Sequence, residues 1–127
     1  MANQPPKIAV IEDDVSLLQM YKFSLENAGF EVGLAGDGVQ GLALAQTFMP
    51  DLILLDLMMP NMSGDEMLVK MREQPWGANI KVIILTNLTE GEVQQDLAAL
   101  KVDRYIIKAH TTPHQVVDIV RATLGYN

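Results

Sequence analysis

Hydrophobic and polar positions along this chain follow two alternating rhythms. Short runs dominated by apolar residues, Ile8–Ile11, Phe30–Ala35, Leu52–Leu55, Val82–Leu85 and Tyr105–Ile107, read as strands. A run such as Leu52-Ile53-Leu54-Leu55, with no polar alternation, suits a strand covered on both faces, as in a parallel sheet. Between these runs lie helical stretches, about Val15–Ala28, Val39–Phe48, Asp65–Glu73 and Glu90–Leu100, with Pro113–Leu124 last. In the first, Leu17, Leu18, Tyr21, Leu25 and Ala28 share one helical face, and in the last Val116, Val120 and Leu124 do. Five strand–helix units imply right-handed crossovers and an α/β fold, with a parallel sheet wound on both faces by five helices.

Local punctuation agrees with these limits. Ser63 with Glu66, Thr89 with Glu92 and Thr112 with Gln115 each match the capping box, in which a hydroxyl and an acid or amide satisfy the first helical amides reciprocally. Pro113 takes the first helical position, where a missing N–H is harmless. Gly29 reads as a helix terminator, and Pro75-Trp76-Gly77 breaks the chain after the third helix. With 127 residues the chain suits one domain, its core about 7–124.

Composition narrows the function. Nine basic against 16 acidic residues give a net charge of −7, which argues against direct binding to nucleic acid, where cations must displace counterions. With no cysteine, disulfides and thiolate metal sites are excluded. No apolar run approaches the roughly 20 residues that span a bilayer, and the first residues carry no signal-peptide core. A cytoplasmic location and no membrane partner are therefore expected.

The chemistry lies at the strand ends. Asp56 follows Leu52–Leu55 directly, the first strand runs into Glu12-Asp13-Asp14, the fourth into Thr86-Asn87 and the fifth into Lys108. In a parallel sheet these ends point one way, toward the edge where open α/β sheets bind ligands. Clustered carboxylates repel and raise one another's pKa, and a hard divalent cation relieves this; with oxygen donors alone Mg²⁺ is the natural choice. A carboxylate between Mg²⁺ and a lysine is suited to attack phosphorus, giving an aspartyl phosphate.

Taken together, the acidic pair Asp13-Asp14, Asp56 within Leu54-Leu55-Asp56-Leu57-Met58-Met59-Pro60-Asn61-Met62-Ser63-Gly64, Thr86 and Lys108 make the chain resemble a response regulator receiver domain of bacterial two-component signalling. The resemblance covers nearly the whole chain and implies a flavodoxin-like sheet in the order 2-1-3-4-5. It implies that Asp56 accepts a phosphoryl group from a sensor histidine kinase or phosphotransfer protein. It further implies that Asp14 and Asp56 ligate Mg²⁺ directly, with the Met58 backbone carbonyl, while Asp13 acts through water. Lys108 would pair with Asp56 and then with the phosphoryl group, Thr86 would move toward it, and Tyr105 would be the aromatic switch. The partner surface would include the fourth predicted helix, the fifth strand and the last helix, with the downstream target undefined. Asp96, Lys101, Asp103 and Arg104 lie near that surface, where charges could pair across a phosphorylation-dependent homodimer or simply be solvated.

The sequence also departs from the family pattern. Ala109 follows Lys108 where proline is usual; a cis bond there is expected so that Lys108 still reaches Asp56, although a non-proline cis bond costs about 2.5–4 kcal/mol. Asn87 replaces a smaller residue and narrows access to the phosphoryl group. Met58 and Leu88 cannot hold an attacking water, so slow self-dephosphorylation is expected.

Two other readings compete. Gly36-Asp37-Gly38-Val39-Gln40-Gly41 matches a dinucleotide-binding loop, with Asp56 about 20 residues on, but Asp37 would face the pyrophosphate and the strand-end groups would go unexplained. An Mg²⁺-dependent phosphatase with an aspartyl nucleophile would commonly carry a second aspartate at the position held by Met58. Either would make the chain something other than a switch with no external substrate beyond its donor. His110 and His114 are separated by Pro113, which argues against a shared metal, and the eight methionines suit core filling.

Overall fold

The apolar runs become five parallel strands in the order β2-β1-β3-β4-β5. They are β1 (Lys7–Ile11), β2 (Glu31–Ala35), β3 (Leu52–Asp56), β4 (Lys81–Thr86) and β5 (Arg104–Ile107). Among the described residues four α-helices are present, α1 (Val15–Asn27), α2 (Gly38–Phe48), α3 (Gly64–Arg72) and α4 (Pro113–Leu124). The structure is a computed structural model and describes residues 4–87 and 99–126. The predicted helix Glu90–Leu100 and the Thr89/Glu92 cap therefore fall almost wholly outside the described residues, as do Leu88 and Asp96.

Strand periodicity builds the two layers. Leu52 and Leu54 face α1 and α4, with Ile8, Val10, Ile83 and Leu85 on the same side. Ile53 and Leu55 face the opposite side, with Ala9, Ile11, Val82 and Ile84, against Met67, Leu68 and Met71 of α3. All these residues are inaccessible to solvent, which at about 1.5–3 kcal/mol per large apolar side chain is the main force fixing the register. On α1 the predicted face is the one observed: Tyr21 and Leu25 are buried, and Leu17, Leu18 and Ala28 pack beside them. Thr112 and Gln115 form the complete capping box at α4. At α3, Ser63 Oγ accepts from Glu66 N at 3.4 Å. Gly29, at φ 98°, ends α1 in the left-handed conformation that glycine adopts without steric cost.

The chain is tied down where it re-enters the sheet before β5. Arg72 donates to three backbone carbonyls, Leu100 (2.8 Å), Gly77 (3.0 Å) and Lys101 (3.0 Å). Asp103 Oδ2 accepts from Val82 N at 2.9 Å, and Asp103 N donates to Val82 O at 2.8 Å. Two of the charges considered for a homodimer thus have roles within the chain: Asp103 docks on β4, and Lys101 Nζ donates to Asn79 Oδ1 at 3.2 Å. Lys101 also sits at φ 61°, a region costing about 1–2 kcal/mol for a residue with a Cβ. Lys101→Gly is expected to raise stability by about 0.5–1 kcal/mol after loss of the Asn79 contact, read as a higher thermal midpoint. A lower midpoint would show that the Asn79 contact outweighs the backbone strain.

Candidate functional site

The strand order puts β1 and β3 side by side at the centre, so their carboxyl ends open into one cleft of about 280 Å³. Asp56 is the last residue of β3 and only 4% exposed. Its Oδ2 lies 3.3 Å from Lys108 Nζ, and its Oδ1 accepts from Met58 N at 3.3 Å. Thr86, the last residue of β4, is buried and lines the same cleft, as does exposed Asn87. Tyr105, paired in register with Ile84, is half-buried and packs against the core on the α3 side of the sheet. Among the described residues no helix is long and apolar enough to cross a membrane.

The acidic group differs by one residue from the expected Asp13-Asp14 pair. Carboxylate oxygens of Glu12, Asp13 and Asp56 come within 4.8 Å of one another. Asp14 lies at the cleft's edge, but it is the N-cap of α1, its Oδ1 accepting from Leu17 N at 3.1 Å. Glu12 takes the inner place because it still follows the strand: its amide donates to Ala35 O at 3.0 Å, and its side chain is fully buried. Glu12 Oε2 accepts from Asp14 N at 3.0 Å, and Oε1 lies 2.5 Å from Lys108 Nζ. That Oε1 has no hydrogen-bond partner of good geometry, its pairing with the ammonium being electrostatic. The sequence held the signal for this shift, since the residue directly before a helix is the one drawn into capping it.

Electrostatics in the cleft are those of crowded acids around one cation. Burial, then the charge of Glu12, push the Asp56 carboxyl up to about 7 against the opposing pull of Lys108. Burial lowers the Lys108 pKa, but the carboxylates of Glu12 and Asp56 beside it outweigh that, so the ammonium is held above its ordinary range. One lysine against three carboxylates leaves the cleft negative. An all-oxygen donor set of three crowded carboxylates fits a hard cation such as Mg²⁺.

The expected cis bond at Lys108–Ala109 is corrected: the described chain contains no cis peptide. Lys108 reaches Asp56 all the same, because the chain turns in a short 3₁₀ segment, Lys108–His110. Thr111 Oγ1 closes that turn on Ile107 O at 2.9 Å. The trans bond avoids the non-proline cis penalty.

The glycine-rich loop has a packing explanation. Gly38 N donates to Met62 O at 3.0 Å, and a Cβ on Gly38 would fall 2.8 Å from Met62 Cβ. A Cβ on Gly41 would fall 2.8 Å from Ile11 Cγ2. Those glycines admit close neighbours, and the Gly38 amide is not free to cradle a phosphate. His110 is exposed, and His114 faces Asp118 at 3.7 Å on the surface of α4.

Comparison with known proteins agrees with this geometry. Residues 8–121 match the response regulator receiver domain, and the chain belongs to that family. It is therefore a phosphorylation-switch domain of two-component signalling. It is 35% identical over its whole length to the DNA-binding response regulator MtrA of Mycobacterium tuberculosis, covering 54% of that protein. It is 37% identical over 105 residues to the DNA-binding dual master transcriptional regulator RpaA of Synechocystis, 81% of this chain and 43% of RpaA. The chain thus spans about half the length of the curated relatives it matches. Among solved structures, the chemotaxis response regulator CheY4 of Vibrio cholerae superposes with a TM-score of 0.86 at 29% identity, covering 94% of this chain and 98% of CheY4.

Proposed function

We propose that Asp56 is the phosphoacceptor, taking a phosphoryl group from the phosphohistidine of a sensor kinase or phosphotransfer protein. The observation that carries this reading is one buried carboxylate at the end of the central strand, 3.3 Å from a lysine and ringed by two further acids. An Asp56 oxygen bonds to phosphorus as the bond to the donor's leaving group breaks. Lys108 balances the charge that gathers on the phosphoryl oxygens, and the Thr86 hydroxyl donates a hydrogen bond to one of them. Asp13, Asp56 and the Met58 carbonyl, with Glu12 behind them, would hold Mg²⁺. When bound, Mg²⁺ would neutralise the crowded carboxylates and the incoming phosphate.

Phosphorylation then acts by population shift, favouring a conformer that the unmodified protein samples less. Thr86 and Tyr105 stand on adjacent strands and would link the cleft to the surface around β5. Asn87, exposed at the rim, would restrict which donors approach. The receiver is read as one unit over about 7–124, acting in the cytoplasm and turning over nothing except its donor. Its output is carried by a protein target or an attached domain of unassigned kind.

Incubation with Mg²⁺ and acetyl phosphate is expected to add the mass of one phosphoryl group, and EDTA to abolish the addition. Met58, 68% exposed beside Asp56, offers no hydrogen bond to an attacking water, so the adduct should be long-lived and Met58→Asn should shorten its half-life several-fold. A folded protein that gains no mass would defeat the reading; equal half-lives would defeat the role of Met58.

A further inference from the structure

We propose that Asp37, acting through Asn61, is a positioning residue for the phosphoacceptor site, although it lies on the loop before α2. This rests on the reading of Asp56 just given. The loop in question runs from Asp56 to Gly64 and includes Met58, which lines the cleft and whose carbonyl that reading assigns to the cation.

Within itself the loop is held by Met58 N to Asp56 Oδ1 (3.3 Å), Gly64 N to Leu57 O (2.9 Å) and Met62 N to Pro60 O (2.7 Å). The last bond spans three residues and places Asn61 at φ 68°, so it is the strained form of γ-turn. Such turns persist only where their surroundings over-determine them. The surroundings here are the start of α2. Asn61 Nδ2 donates to Asp37 Oδ2 at 2.8 Å, and Gly38 N donates to Met62 O at 3.0 Å.

Capping alone does not account for this arrangement. Asp37 Oδ1 already caps α2, accepting from Gln40 N at 2.8 Å. A serine would serve a cap equally well. The second carboxylate oxygen is given to a residue 24 positions along the chain. Gly38 is packed so closely on Met62 that no side chain fits between them. Both contacts fix the strained turn, and the turn fixes the backbone of Met58–Pro60. Groups that orient metal ligands in this way commonly change metal affinity by about 10- to 100-fold when removed.

Two variants separate positioning from capping and strain. Asp37→Ser keeps one oxygen for Gln40 and gives up the bond to Asn61. Asn61→Gly removes the same bond while tolerating the positive φ. Each is measured in the intact chain for Mg²⁺ Kd by calorimetry, thermal midpoint in EDTA, and the Mg²⁺ concentration that half-saturates labelling by acetyl phosphate. Mg²⁺ Kd should weaken by about tenfold in both variants, with folding retained and labelling restored at saturating Mg²⁺. An unchanged Kd in folded variants, even with a lowered midpoint, would overturn the proposal and leave the pair a purely structural clasp. If the wild type neither binds Mg²⁺ nor accepts phosphate, the reading of Asp56 falls first, and this proposal with it.

Discussion

Lys108→Met is expected to destabilise the protein by about 3 kcal/mol in EDTA. Methionine keeps the volume of the stem and removes the charge. Glu12, fully buried, and Asp56, 4% exposed, would then face each other with no cation between them. Breaking a buried pair by deleting one partner commonly costs about 3–5 kcal/mol. The lower end applies because Asp56, already pushed up to about 7 by burial and Glu12, can take a proton and relieve the repulsion. Mg²⁺ should recover more stability in the variant than in the wild type, since it binds only the folded site and replaces the missing charge. Urea denaturation with and without Mg²⁺ measures both effects. A loss under about 1 kcal/mol, or one indifferent to Mg²⁺, would mean that Lys108 contributes by packing instead.

Gly64→Ala is expected to cost about 3 kcal/mol and to abolish phosphoryl acceptance as well. An added Cβ would press directly on the carbonyl oxygen of Asp56 and lie 2.9 Å from Leu57 Cα. Both neighbours are backbone, so neither can move aside by changing rotamer. Either the tip of β3 or the start of α3 must shift, and the bond from Gly64 N to Leu57 O at 2.9 Å would be strained with it. Asp56, the proposed phosphoacceptor, is carried on that strand tip. A variant with a wild-type thermal midpoint and full adduct yield would show that the loop is softer than its close packing implies.

Much of the fold was legible because the strands obey one rule. Leu52, Ile53, Leu54 and Leu55 are apolar without interruption since alternate residues feed two separate cores. The same rule made Asp56, Thr86 and Lys108 visible, each being the first polar residue after such a run. It blurred at Glu12-Asp13-Asp14, where three acids in succession leave no contrast to read. There the outcome depends on where the strand stops and the helix starts, and Asp14 goes to the cap while Glu12 stays with the sheet.

The trans peptide after Lys108 was not legible, because the closing bond from Thr111 depends on a local turn that periodicity does not register. Nor was the pairing of Asp37 with Asn61. Asp37 looked like part of a nucleotide-binding loop, and Asn61 was only one residue of the motif after Asp56. What joins them is the placement of α2 beside α3 on one face of the sheet, a tertiary fact. The same packing explains the glycines that had suggested a dinucleotide.

The central claim is that Asp56 itself becomes phosphorylated. Its most direct test is to label the protein with Mg²⁺ and acetyl phosphate, reduce the acyl phosphate with borohydride, and sequence the peptides by mass spectrometry. The account predicts homoserine at position 56 alone, and none in Asp56→Asn. Reduction at another carboxylate with position 56 unchanged, or equal labelling of Asp56→Asn, would contradict it.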